Sequence, residues 1–384
     1  MSSKIDVDSQ ESWQHAMKIA KRLFVMPQRV LLPIRLLWRQ YLLADHDDVD
    51  VKIDPAAYAS VRLIDSTVSF KAPLYFAASQ LRRDQFSVAE DDTSKALLKT
   101  LGPGLFSVLL ALVWLYRRAA KLSAPSQWVQ FSPDILANLE IAIGIADETD
   151  KIGSADGALL GAIRHMALGG MLVKNEEHFK RYSNLHIRNG RFDFEDEHTR
   201  WKCDHAQVAT CLLQLYTFTR TKIPERRDLE TPMYVRSALL GKVEEIPKSL
   251  EELVVWARFI RLLDSINEKR GGGEVDFSWL GIDEHRAKEL NALIRKVYEE
   301  GSSFSWLKRG AKLADDMDKH KQSLKGEKEP AAGLEGGLQE EDMVPTEPID
   351  PSDIHIPGFS QEELEGLTQE ELQQLKEFAD MASE

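Results

Sequence analysis

The sequence predicts an all-α protein, and three observations carry that expectation. Apolar residues recur at helical spacing through nearly every segment up to about residue 300. Helix-start signals sit where those runs begin: Asp54 before Pro55, and Ser132-Pro133-Asp134. Strand signals are nearly missing, with one short hairpin candidate around Asn189-Gly190. At 384 residues, with 43% hydrophobic and 29% charged residues, the chain can build one large domain or two ordinary ones.

Taken in order, Met17 to Phe24 and Val30 to Leu43 read as helices, interrupted by Pro27 and Pro33. Asp45 to Asp48 is an acidic turn, and Pro55 to Ser66 a helix capped by Asp54. Pro73 to Leu81 reads as irregular or short helix. Thr93 to Leu101 is helical and stops at Gly102-Pro103-Gly104, after which Leu105 to Leu122 resumes. Ser132-Pro133-Asp134 caps a helix over Ile135 to Asp147, and Asp156 to Val173 follows. The pattern lapses from His178 to Asp196, then returns over Glu195 to Phe218, Glu230 to Gly241, Leu250 to Glu268 and His285 to Glu300. The stretch from His178 to His198 holds three histidines, His178, His186 and His198, which read as a solvated loop because their spacing is irregular.

Charge is unevenly placed. The net −13 belongs to the end of the chain: residues 315–384 hold 20 acidic and 5 basic residues, leaving 44 basic against 42 acidic before them. A near-neutral globule without a basic stripe excludes a nucleic-acid surface. The longest apolar run, Leu105 to Tyr116, has 12 residues, short of the roughly 20 that cross a bilayer. A membrane role is therefore not expected. The polar, acidic N-terminus lacks the order of a signal peptide, and Cys203 and Cys211 form no disulfide framework, so a cytoplasmic location is expected.

After about Ala314 the chain is rich in Glu, Gly, Pro and Lys, a composition that cannot bury enough surface to offset its ordering entropy. Capping boxes at Ser360 to Glu363 and Thr368 to Glu371 then precede Leu372, Leu375, Phe378, Ala379 and Met381 at helical spacing. Residues 361–381 are expected to form a short acidic amphipathic helix on a tether, with Leu372, Leu375 and Phe378 as candidate docking residues for a protein partner.

Chemical motifs are sparse. No Walker-type loop follows Gly271-Gly272-Gly273, no Gly-x-Ser-x-Gly elbow occurs, and no cofactor is implied. Cys203 and His205 would lie on nearly opposite faces of one helix, which disfavours a Cys-His nucleophile pair. The informative residue is His165, in the apolar stretch Gly161 to Gly170. An adjacent His and Asp would offer a divalent cation an imidazole nitrogen and a hard carboxylate oxygen, but the neighbour here is Met166. Its thioether is no substitute for a hard metal.

Five segments in order carry a family resemblance. Leu31-Leu32-Pro33 precedes the acidic turn, and Asp54-Pro55 through Asp65-Ser66 follows. Then come Ala96-Leu97-Leu98-Lys99-Thr100-Leu101-Gly102, the stretch Gly161 to Gly169, and Asp204-His205-Ala206-Gln207-Val208-Ala209 with Leu212-Leu213 after it. Leu253 to Ile260 adds a later helix. Together they resemble HDOD domains, bacterial output domains related to the HD phosphohydrolases. The resemblance covers roughly residues 26–298. It implies a two-lobed helical bundle: an extension over 1–25, an HDOD-like domain over 26–300 with lobes 26–125 and 126–300, and a tail over 301–384.

The departures from the HD pattern matter. His165-Met166 stands where the His-Asp pair would be, and Ile135 to Asp147 holds no histidine, although it carries Asn138 and Glu140. His165, Asp204 and His205 are the surviving cleft candidates. The resemblance thus implies a non-catalytic regulatory protein of a signalling pathway, acting through protein partners or a small ligand in the old cleft. The alternative is a divergent metal-dependent phosphohydrolase.

Overall fold

The computed structural model describes residues 9–43, 53–65, 68–86, 93–172, 192–218 and 232–304, with residues 307, 317 and 319 beyond. Those residues form an all-α fold with twelve α-helices, two short 3-10 turns and no strand among them. The hairpin expected at Asn189-Gly190 and the helix expected at 361–381, with Leu372, Leu375 and Phe378, lie outside the described residues.

The first group of helices is assembled around one long apolar element. Helices α1 (Gln10–Phe24), α2 (Gln28–Leu43), α3 (Pro55–Arg62) and α4 (Val68–Leu81) precede α5 (Ser94–Leu122). α2, α3 and α4 all pack on α5. Asp54 caps α3, accepting from Ala56 N at 2.7 Å with Pro55 at the first helical position. In α1 the buried residues Ser12, Ala16, Ala20 and Leu23 form a stripe at helical spacing, which packs on the later helix His205–Tyr216.

α5 continues across the breaker the sequence shows. Gly102 has φ 74° and ψ 161°, a left-handed conformation that suits glycine, and the helix resumes at Pro103. This makes α5 a kinked helix of 29 residues, against the 12-residue apolar run read from sequence. Among the described residues it is the one helix long and apolar enough to cross a membrane, and 83% of its most apolar window is buried within the protein.

Prolines mark fewer boundaries than expected. Pro33, Pro73 and Pro133 all lie inside helices. Helix α6 runs Pro125–Ala146, so its start is set by Pro125 at the first helical position and not by Ser132-Pro133-Asp134. Burial of Phe131, Ser132, Ile135 and Leu136 offsets the hydrogen bond Pro133 removes.

The second group is centred on α7 (Ser154–Met171), which is buried on all sides as a core helix is. α6 and α5 both pack on α7, so α7 joins the two groups. Gly161 makes the α6 contact possible: a Cβ there would meet Ala142 Cβ at 2.6 Å and the Asn138 carbonyl oxygen at 2.7 Å. Alanine favours helix over glycine by up to about 1 kcal/mol, but a backbone oxygen cannot swing aside. Gly161→Ala is therefore expected to destabilise the protein by about 1–3 kcal/mol; an unchanged urea midpoint would show that the two helices separate freely.

The remaining helices are α8 (Phe194–Trp201), α9 (His205–Tyr216), α10 (Pro232–Leu239), α11 (Glu251–Lys269) and α12 (Glu284–Glu300). α9 packs on α7 and α10, α10 on α11, and α12 on α6. Buried Asp156 of α7 ties three helices together, accepting from Tyr41 Oη of α2 at 2.7 Å and from Trp256 Nε1 of α11 at 3.2 Å. Glu140 of α6 accepts from the Ser302 and Ser303 hydroxyls at 2.7 and 2.6 Å, which pins the chain after α12. Phe304, Leu307 and Met317 are buried too, so the core continues past the last helix.

Candidate functional site

The site forms where α7, α8, α9 and α10 meet. The single helix expected over Glu195 to Phe218 is two helices, because Lys202 takes a left-handed conformation (φ 62°) and ends α8. The chain then restarts at Asp204, which opens α9 with a capping box. Asp204 Oδ1 accepts from Gln207 N at 2.7 Å, and Gln207 Oε1 accepts from Asp204 N at 3.1 Å. Ser12 Oγ of α1 donates to the same Gln207 oxygen at 2.9 Å, so the N-terminal helix braces the junction.

Asp204 is fully buried and committed to protein partners. Its Oδ2 accepts from Arg236 Nη2 at 2.6 Å, from Arg236 Nε at 2.9 Å, and faces His198 Nε2 at 2.9 Å. Burial alone would raise this carboxyl. The His198 hydrogen bond and the charge and hydrogen bonds of Arg236 outweigh it and hold the group well below the usual carboxylate range. His198 is buried in this cluster, which corrects its reading as part of a solvated loop; His178 and His186 lie outside the described residues.

His205 is turned the other way. Its backbone N donates to Glu197 Oε2 at 2.6 Å, and its Nδ1 lies 2.8 and 3.0 Å from the two Glu197 oxygens. Both side chains are fully buried. A carboxylate can only accept, so Nδ1 carries a hydrogen and donates to Glu197. Nε2 is buried and has no hydrogen-bond partner.

Phe192 brings the two cleft histidines into one cluster. Its ring stacks on His205 with centroids 4.1 Å apart and meets the edge of His165 at 5.0 Å. The Arg164 guanidinium lies 4.5 Å from the Phe192 centroid. Arg164 in turn forms a two-point ion pair with Asp264 of α11, at 2.5 and 3.2 Å. Beside this cluster lies a cavity of about 340 Å³, with Arg164, Phe192, Phe194, His205, Lys242 and Asp264 on its walls.

Of the sequence candidates, His165 and His205 thus meet through Phe192, and His205 faces the cavity. Asp204 instead closes a buried charge cluster with Arg236 and His198. Sequence reasoning passed over Glu197, Arg236, Phe192, Arg164 and Asp264. The sequence reading places Asp204 inside one continuous helix, and the residues it missed lie 8 to 100 residues from their partners and share no local pattern.

The donor set does not suit a hard divalent cation. Asp204 has both oxygens engaged, Glu197 holds His205, and Met166 lies beside His165. Among the described residues no group of three or more His, Cys, Asp or Glu side chains is placed to hold a metal. The cysteines are inert as nucleophiles: burial pushes the Cys211 thiol up to about 12, and burial, then the Asp204 and Glu197 charges, pushes Cys203 higher still.

No protein-family model matches the chain, and no curated protein matches it significantly. A crystal structure of a candidate phosphohydrolase from Shewanella amazonensis SB2B aligns with 81% of this chain and 96% of its own, at 13% identity and a TM-score of 0.41.

Proposed function

We propose that this is a non-catalytic regulatory protein whose degenerate cleft, beside His165 and His205, binds a small ligand, and that it acts on a protein partner in a signalling pathway. The observation that carries the reading is the commitment of both carboxylates flanking the cleft. Asp204 is held by Arg236, His198 and the start of α9, and Glu197 by His205. Neither is left to bind a metal or act as a general base, while the cavity beside His205 remains. In this reading the terminal segment with Leu372, Leu375 and Phe378 is the partner-docking element.

One observation favours the second reading, a divergent metal-dependent phosphohydrolase. The Glu197 carboxylate orients the His205 ring as carboxylates orient metal-binding imidazoles. One experiment separates the two. The full chain, purified without chelator, is analysed for metal and assayed with p-nitrophenyl phosphate and its bis ester in the presence of Mn, Mg or Zn. The regulatory reading expects sub-stoichiometric metal and no turnover. Stoichiometric metal, or turnover lost in His165→Ala and His205→Ala, overturns it in favour of the hydrolase.

A further inference from the structure

We propose that residues 361–381 of this chain dock on a basic, partly apolar face of its own fold, formed by the ends of α1 and α5 and the start of α6. The inference goes beyond the reading above, since neither the cleft nor a second protein enters it.

Charge marks the face. Residues 12–44 and 93–133 contain no Asp or Glu, while the first stretch carries six Lys and Arg and the second five. No basic stripe is visible along the sequence, because the fold assembles it from these two separate segments. Arg118 Nε of α5 donates to the Arg22 carbonyl of α1 at 3.0 Å. Lys18, Lys21, Arg22 and Val25 recur at i, i+3, i+4 and i+7, so they share one side of α1. That side lies opposite the buried stripe of Ser12, Ala16, Ala20 and Leu23. Lys121 stands one turn beyond Arg118 and is exposed, as are Lys18, Lys21 and Arg22. Among the described residues none of these five cations is paired with a carboxylate.

Apolar surface accompanies the charge. Leu23 of α1 packs on Gly170 of α7, and Trp128 and Phe131 of α6 pack on Gly169, so α7 holds the end of α1 beside the start of α6. Trp128 also meets the Tyr116 ring of α5, with centroids 4.9 Å apart. At this end of the fold Val25 is 62% exposed and Val129 69% exposed. Both side chains lie uncovered beside the cations, where an apolar partner would shield them from water.

The occupant follows from what such a face needs. Residues 361–381 carry seven acidic residues against Lys376, with Leu372, Leu375 and Phe378 among them at helical spacing. An acidic amphipathic segment matches both the cations and the apolar side chains, as a simple polyanion does not. Length permits the contact. About 40 residues separate buried Met317 from Gln361, and a coil of that length spans about 35 Å root-mean-square. A fold of about 300 residues has a radius of gyration of about 19 Å, so its whole surface is within reach. Such a tether gives an effective concentration of about 1 mM, and an intrinsic affinity of only about 100 µM then keeps the segment docked about nine-tenths of the time. Seated there, Leu372, Leu375 and Phe378 are withheld from any other partner until the contact is released.

The test is zero-length cross-linking of the full chain with a water-soluble carbodiimide, which joins a carboxylate to an amine in contact with it. Bonds from Lys18, Lys21 or Lys121 to Glu370, Glu371 or Glu377 are expected at about 0.1 M salt. Their yield is expected to fall several-fold at about 1 M, where the screening length drops from about 10 Å to about 3 Å. Lys21→Glu combined with Arg22→Glu leaves Lys18 and Lys121 as reporters and is expected to remove most of the yield. The Arg118 bond to the Arg22 carbonyl survives that change. Leu375→Ser combined with Phe378→Ser keeps every charge and is expected to lower the yield as well. Should the first pair of substitutions prevent folding, this second pair, far along the chain from the face, still decides. An unchanged yield in it would mean unspecific attraction between opposite charges and overturns the inference. Mixing isotope-labelled with unlabelled chains identifies the donor of the tail. Bonds within one chain support the inference, whereas mixed bonds place the tail on a second copy and overturn it. Absence of these bonds overturns it too; if the chain then floats with phosphatidylserine vesicles but not with phosphatidylcholine vesicles, the face serves an anionic membrane instead.

Discussion

Replacing Arg236 with methionine is expected to lower the unfolding free energy by about 3–5 kcal/mol. The variant keeps most of the side-chain length but removes the three-centre contact to Asp204 Oδ2 and leaves a fully buried carboxylate with too little compensation. At about 2–4 °C per kcal/mol, the thermal midpoint should fall by roughly 6–20 °C. The loss has a pH signature. Asp204 has a depressed folded pKa, so its contribution is complete above the unfolded carboxylate value of about 3.9 and is lost as pH falls through the folded value. The gap between the original chain and Arg236→Met should therefore be full at pH 7 and shrink below about pH 4. A gap independent of pH over that range would mean that Arg236 stabilises through packing alone.

Trp256→Ala is expected to cost about 3–5 kcal/mol. The indole is 1% exposed, and it links α11 to α7 both by packing and by its hydrogen bond to Asp156. Trp256→Phe divides the two contributions. It retains most of the apolar contact but withdraws a donor from a buried carboxylate, which should cost about 1–3 kcal/mol. Urea denaturation of both variants checks the division. If Trp256→Phe were as damaging as Trp256→Ala, the hydrogen bond and not the packing would hold α11 in place.

How much of this was legible in the sequence differs between scaffold and site. Helices whose boundaries rest on local chemistry were readable: Asp54-Pro55 opens α3, and Gly102 interrupts the regular course of α5. Boundaries argued from proline failed at Pro33, Pro73 and Pro133, since the buried neighbours Leu32, Ile34, Ala72, Leu74, Phe131 and Ser132 anchor those helices despite the lost hydrogen bond. Lys202 was unreadable for a related reason. A non-glycine left-handed residue is not announced by its type; here Glu197 and Asp204, either side of it, are both fixed by tertiary hydrogen bonds.

At the site, His165 and His205 stood out because each sits in an apolar helix. Their environment did not stand out. Whether Asp204 is a ligand or a structural anion depends on Arg236, 32 residues away, and no local pattern links the two. The histidine that reads as solvated, His198, is buried for the same reason: Asp204 recruits it.

The burial of α5 also bears on how the chain is made. Among the described residues this helix alone is long and apolar enough to cross a membrane, and α7, which packs on it, is completed about 50 residues later in the chain. At synthesis rates of about 5–20 residues per second, residues 94–122 wait roughly 2–10 s after emergence before that partner is available. During that interval the nascent chain presents a greasy, uncovered helix with only α2, α3 and α4 to shelter it. Slower translation of residues 125–171 should therefore reduce soluble yield, even though the finished protein would be identical.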